Sequence, residues 1–373
     1  MAMLRHSPYH HRFVQLGAQF VERIGFAAPS VFSTTEDEHR ATRERVGLFD
    51  VYYQVPIEVA GADAEAVLNQ VLVADISRQP VGRVVYAAPC NAEGGMIDDL
   101  TCYRLEPDRF WLVPTPSRVD AVLATLRRAA EGRHAVVTAL GYKNAYLSVQ
   151  GPNSRELLQG LTESDLSTTA LAYFSLKLMT LADVPMLVSR TGYSGELGYE
   201  LFYPSEYAEH VLDTLLAAGR PLGVLPCGLG ALRSLRIEKR YPLYGLDLDE
   251  STTPIEAGLG WTVKLTKPAF QGREVLARQK AKGTERQLVL LLMAPDAPLP
   301  PVGTAVGHSG EAVGRVTSAD RGHTVGRTLA MAYVPPALAV DGQEVSIAGG
   351  ATEWAAVVST RPAYDPEGLR LRG

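Results

Sequence analysis

After Gln279 the pattern of this 373-residue sequence changes character. Upstream, stretches of helical and of strand periodicity alternate. Downstream, the polar segment KAKGTER gives way to short apolar runs cut by glycine and proline: QLVLLLM, GTAVG, GRVTS, LAMAYVP, EVSIAG and WAAVVST. Many short strands at this spacing predict a small antiparallel barrel or sandwich. We therefore expect an α+β body over residues 1–282, with two subdomains meeting near 140–150, and a β-domain over 283–373. Each is long enough to bury a core of its own.

Within the body, Thr34 followed by Glu36, Asp37 and Glu38 marks a helix start, because acids there meet the positive end of the helix dipole. This helix is expected to reach about Val46. VPIEVAG alternates like a strand and ADAEAVLNQVL reads as a helix. GGMIDDLTCYRL and DRFWLVP read as strands joined by a turn at Glu106-Pro107-Asp108. A helix over about Val119–Ala130 and a buried strand in YLSVQG follow. PMLVSRTGYSGELGYELFYP reads as two strands around a glycine-rich turn, and CGLGALRSLRIEK as a helix whose apolar face holds Leu229, Leu232, Leu235 and Ile237. HRFVQLGAQFVERIG fits helical spacing at Phe13, Leu16, Phe20 and Ile24, and equally a bent extended chain around Gly17; periodicity leaves both open.

A formal charge of −5 and a pI near 6.0 give no electrostatic footprint for nucleic acid or a membrane surface. No run of eighteen apolar residues occurs and the start has no secretory h-region, so we expect a cytoplasmic location. The three cysteines, Cys90, Cys102 and Cys227, show no CxxC spacing, and no HExxH pair appears, so no metal site is expected. GYSGELG has neither the spacing nor the strand-then-helix setting of a dinucleotide fingerprint, and GxxxxGK[ST] is absent.

Three segments carry chemistry. In EGGMIDDLTCY, strand alternation would turn Asp98 and Asp99 to opposite faces, with Asp99 sharing one with Tyr103. Asp99 is then a candidate charge stabiliser if that face lines a cavity, while acids that only satisfy turn amides remain the alternative. In RTGYSGELGYELF, Glu200 lies inside a strand, where a carboxylate is costly unless it is paired or faces a polar cavity. In CGLGALRSLRIEKRYPLYGLDLDESTTPIEAGLGW, the helix carries Arg233, Arg236, Lys239 and Arg240. Such a run reads as a solvated, salt-bridged face or as a set of cations for an anionic ligand.

Together these segments, in this order and nearly end to end, resemble the aminomethyltransferase family, whose type member is the glycine cleavage T-protein. The resemblance implies three domains around a channel that holds tetrahydrofolate, the last a small barrel, and an enzyme moving a one-carbon group to or from a small-molecule substrate. It places Asp99 as the functional acid, Glu200 as the carboxylate gripping the pterin ring and Tyr193 as the aromatic beside it. Tyr103, Tyr86 and Tyr241 fall on other pocket positions. The glutamyl tail of folate is anionic, so Arg233, Arg236 or Arg240 would meet it.

The departures bear on substrate. T-protein members usually read SHM after LFDV, whereas this chain has Tyr52, Tyr53 and Gln54. They read GLGARDSLRLEAG, whereas Leu232 and Arg233 stand here in place of their arginine and aspartate. Thr115 replaces an asparagine. SLRIEK is closer to the folate-dependent demethylases and the methylglycine-oxidising enzymes, although no flavin domain is present. KRYPLYGLD lacks the KGCYxGQE pattern of the tRNA-modifying relatives. The expectation is a demethylase-like transferase, with the T-protein activity and a non-catalytic folate-binding module as alternatives.

Overall fold

The computed structural model describes residues 3–349 and 352–373. The segment that fitted two readings is a helix and then a hairpin. His10–Gln15 is helical, the chain turns at Gly17 (φ 83°), and strand Gln19–Arg23 pairs antiparallel with Phe26–Val31. Helix Thr35–Glu44 begins where Thr34 accepts the amide of Asp37 at 3.1 Å. It stops two residues short of Val46, which starts a strand instead. Glu38 is fully buried and leaves the dipole role to Glu36 and Asp37. Its carboxylate accepts the amides of Ser33 (2.9 Å) and Gly228 (2.7 Å), tying this helix to the start of a later one.

Two sheets form the body. The larger has six strands in the order Leu176–Leu181, Val184–Ser189, Gly198–Pro204, Asn144–Gln150, Val46–Asp50, Val224–Cys227. All neighbours are antiparallel except the last pair. The five-stranded sheet runs Val84–Ala87, Leu100–Glu106, Arg109–Pro114, Ile57–Ala60, Val136–Ala139, all antiparallel. Helices Ala64–Val71 and Val119–Ala130 cover its outer face through Val67, Leu68, Val122 and Leu126. Its inner face meets the larger sheet, where Tyr103 and Trp111 close on Tyr146 and Phe202.

The barrel expected from the change of texture is present. Six antiparallel strands close when Gln287–Met293 pairs with Thr352–Ser359. After Gln287 the segment is apolar to its end, because both faces of the strand are largely buried. Val289, Leu291 and Met293 point into the barrel, while Leu288 and Leu290 pack on Ile237 of the body helix Leu229–Glu238.

That helix departs from its sequence reading. Leu235 and Ile237 are buried, but so are Arg236 and Glu238, while Leu229 and Leu232 are only half-buried. The helix lies between sheet and barrel, so no side of its C-terminal half is left for a solvated charged face. No helix among the described residues is long and apolar enough to cross a membrane.

Candidate active site

A channel of about 1340 Å³ lies between the two sheets, the helix Leu229–Glu238, the loop after it and the last residues of the chain. Two carboxylates, Glu200 and Asp99, line it.

Glu200 comes from strand Gly198–Pro204. Period-2 alternation sends Tyr199 and Leu201 into the core behind the sheet and leaves Glu200 with Phe202 and Tyr146 on the inner side. Its Oε2 accepts the hydroxyls of Thr191 and of Tyr103 (3.3 Å). No ion pair among the described residues involves it. Burial pushes the carboxyl up, against the hydroxyls of Thr191, Tyr146 and Tyr103, which hold it down. A carboxylate carries about four acceptor sites, and the protein supplies this one with hydroxyl donors only.

Asp99 sits just before strand Leu100–Glu106. Its Oδ2 accepts the Tyr86 hydroxyl at 2.7 Å, and its Oδ1 is buried without a partner. Burial raises the carboxyl to about 6; Tyr86 opposes this and the charge of Asp247 adds to it. Asp98 was expected on the other face, toward solvent or a turn. It is fully buried instead: Oδ2 accepts the Thr115 amide at 2.8 Å and Oδ1 has no partner. Two-residue alternation holds only inside a strand, and this strand starts at Leu100, after both acids. Burial and the neighbouring Asp99 raise the Asp98 carboxyl well above its ordinary value.

In the Gly94-Gly95 pair, Gly94 takes the left-handed conformation (φ 82°) and Gly95 permits a close approach of backbone to backbone. A Cβ on Gly95 would sit 1.7 Å from the carbonyl oxygen of Glu250. Asn91 donates to that oxygen at 2.8 Å and accepts the Gly95 amide at 2.8 Å, while the Met96 amide donates to Thr252. The loop after the body helix therefore clamps the turn that presents Asp99.

The same loop is held from below. Arg236 donates to Asp247 at 2.8 Å and to the Tyr241 carbonyl at 3.0 Å, and Asp247 also accepts the Leu243 amide and the hydroxyls of Thr317 and Ser318. Tyr241 and Tyr193 thereby reach the channel wall, rings 5.8 Å apart, with the Tyr193 hydroxyl donating to Pro242 at 2.5 Å.

The remaining expected residues divide. Tyr86, Tyr53 and Thr115 line the channel, and Tyr86 stacks on Trp261 at 5.9 Å. Tyr103 stands behind Glu200 as its hydrogen-bond donor. Tyr52 is turned away: its hydroxyl donates to Tyr142 at 2.6 Å and its ring packs on Phe26 and Tyr142, so it belongs to the wall's support. Arg233 lies at the rim, its side chain 56% exposed and 3.7 Å from Asp320. Arg236 and Arg240 also border the channel, yet Arg236 is committed to Asp247 and Arg240 donates to the Leu288 carbonyl at 2.6 Å. Sequence reasoning missed Arg23, Tyr146, Thr191, Trp261 and the C-terminal stretch around Leu371. Thr191 and Trp261 lie inside motifs already singled out by their glycines; the others carry no local signal, since tertiary contact alone brings them in.

Two family models cover most of the chain: "GCVT N-terminal domain" over residues 9–267 and "Glycine cleavage T-protein C-terminal barrel domain" over 286–365. An aminomethyltransferase of Streptomyces avermitilis is 41% identical, covering 91% of this chain and 91% of its own. One of Halothermothrix orenii is 36% identical, covering 92% and 95%. The crystal structure of the glycine cleavage system aminomethyltransferase T from Bartonella henselae superposes with a TM-score of 0.89 at 30% identity, over 97% of this chain and 99% of that one. The leaning toward demethylases read from SLRIEK finds no support in these relatives, which are aminomethyltransferases.

Proposed function

The chain belongs to the glycine cleavage T-protein family, and on that premise we propose that it transfers an aminomethyl-derived carbon to tetrahydrofolate, with Glu200 holding the pterin and Asp99 facing the reacting carbon. Enzymes of this family transfer one-carbon units. The observation that carries the reading for this site is a pair of half-buried carboxylates facing one channel, neither of them in an ion pair among the described residues. Glu200 is met only by hydroxyls, and Asp99 keeps an unpartnered buried oxygen.

The residues suit a folate. Pockets for drug-sized ligands run about 300–1,000 Å³, so a channel of about 1340 Å³ has room for the carrier and a donor together. Tyr193, Tyr241 and Tyr146 offer apolar faces to a flat ring. Glu200 keeps Oε1 for an N–H donor on the ring's edge while Oε2 takes the two hydroxyls. When bound, tetrahydrofolate supplies the nitrogen that takes the carbon. Asp99, oriented by Tyr86, holds negative charge where the donor's carbon becomes electron-poor as its bond to the heteroatom breaks. The stacked Tyr86–Trp261 pair lines the channel beside Asp99.

One observation favours a second reading, an N-methylated small amine as donor. Tyr53, Gln54 and Leu232, all departures from the T-protein wording, line the same channel. The two separate in one assay of the purified chain with tetrahydrofolate. An aminomethylated thiol carrier should yield 5,10-methylene-tetrahydrofolate and one ammonia per turnover. Turnover only with N-methyl amines, giving 5-methyl-tetrahydrofolate and no ammonia, would replace the first reading by the second. Tight binding without turnover on either would leave a binding module.

A further inference from the structure

We propose that Arg23, at the end of the N-terminal hairpin strand, is the residue that recognises the anionic glutamyl end of the folate in this chain, with Arg233 as a weaker second contact. This rests on the folate reading above and adds the residue that decides which reduced pterins bind.

Seven cationic side chains border the channel. Four are already engaged. Arg236 pairs with Asp247 at 2.8 Å and Lys239 with Asp365 at 3.1 Å, while Arg240 and Lys264 donate to the carbonyls of Leu288 (2.6 Å) and Trp261 (2.8 Å). Arg372 stands beside Tyr173 at the Glu200 end, where the ring is gripped and no carboxylate tail belongs. Arg23 and Arg233 remain, and both lie at the mouth between the hairpin and the body helix.

Arg23 is the better placed. It is half-buried, its guanidinium lies 5.5 Å over the Tyr53 ring, its Nε is buried with no partner, and no ion pair among the described residues involves it. A half-buried guanidinium whose buried Nε lacks an acceptor has hydrogen-bonding capacity left, and a bound carboxylate would fill it through a two-pronged hydrogen bond. Arg233 is more than half exposed and faces Asp320 at 3.7 Å, so screening weakens whatever it adds.

The hairpin reaches this mouth because strand Phe26–Val31 lies directly on the start of the helix. A Cβ on Gly228 would sit 2.2 Å from the Ser30 carbonyl. On the helix itself, the position where T-protein members have arginine is Leu232, which lines the mouth without charge.

The test compares dissociation constants, by calorimetry, of tetrahydrofolate and of the methylamide of tetrahydropteroate, which keeps the ring and the aminobenzoyl group but carries no carboxylate. The wild-type chain should prefer tetrahydrofolate by about tenfold or more, the worth of a hydrogen-bonded charge pair. Arg23→Ala should reduce this preference to within about twofold while leaving the affinity for the uncharged methylamide unchanged; Arg23→Lys should recover part of it, and Arg233→Ala should keep most of it. A preference that survives Arg23→Ala, or a loss shared equally by both ligands, overturns the assignment of Arg23. A wild-type chain that binds neither pterin overturns the folate reading itself, a result plainly distinct from the other two.

Discussion

Asp98 and Asp99 are adjacent, the first fully buried and the second half-buried, and they are set apart by one hydrogen bond each. The Thr115 amide donates to Asp98, and the Tyr86 phenol donates to Asp99. With its carboxyl pushed up to about 6, chiefly by burial, Asp99 is mostly ionised at neutral pH and takes up a proton as pH falls through about 6. A reaction that needs its charge therefore has an acid limb near pH 6. Asp99→Asn should lower turnover by about 10²–10³ and flatten that limb while leaving folate affinity nearly intact; a variant with full turnover removes Asp99 from the mechanism. Glu200 was legible in the sequence because a carboxylate inside an apolar strand calls for a polar cavity. The burial of Asp98 was not, because strand alternation was extended two residues beyond where the strand begins.

At the scale of elements, the loop 241–252 decides the site. It is fastened by the buried Arg236–Asp247 pair, carries Tyr241, and clamps the Gly95 turn through Glu250 and Thr252. Removing one member of a buried, hydrogen-bonded ion pair leaves the other uncompensated, at a cost of about 3–5 kcal/mol. Asp247→Ala should therefore lower the thermal midpoint by many degrees, and, where the protein is still folded at low temperature, it should lose turnover at Asp99 without touching it. Wild-type stability in this variant would show that the loop is held elsewhere. Helix Val119–Ala130 could be read from sequence because only one of its faces is buried and its period is clean. Helix Leu229–Glu238 misled because it is covered on several sides and its charges pair with distant partners rather than with water.

The whole molecule is held together at a buried polar junction between body and barrel. Glu238 accepts the Thr324 and Val325 amides of a barrel loop at 2.8 and 3.2 Å, and pairs with Arg43 at 2.9 Å and with His39 at 3.5 Å. Burial alone would raise its carboxyl, yet His39 and Arg43 hold it down to about 2. A carboxylate depressed in the folded state stabilises above its unfolded value and loses that contribution as pH falls through its folded one. The window is thus about pH 4.5 down to about 2, and the contribution is on the order of 3 kcal/mol. Urea unfolding of wild type and Glu238→Gln between pH 2 and 6 checks this: the slope across that window should be shallower in the variant than in the wild type. An unchanged slope would assign acid lability to other groups.

The sequence alone determined the elements whose signals are local: the barrel, from short apolar runs between turn residues, and most strands and helices of the body, from period and caps. It also singled out Glu200, since burying a charge in a strand is costly wherever that strand goes. Tertiary structure alone decided which cations are spent in ion pairs, that Tyr52 turns away while Tyr53 faces in, and that Arg23 reaches a channel built mostly by residues far along the chain. Those outcomes depend on contacts between segments remote in sequence, and neither periodicity nor residue type records which segment will lie opposite.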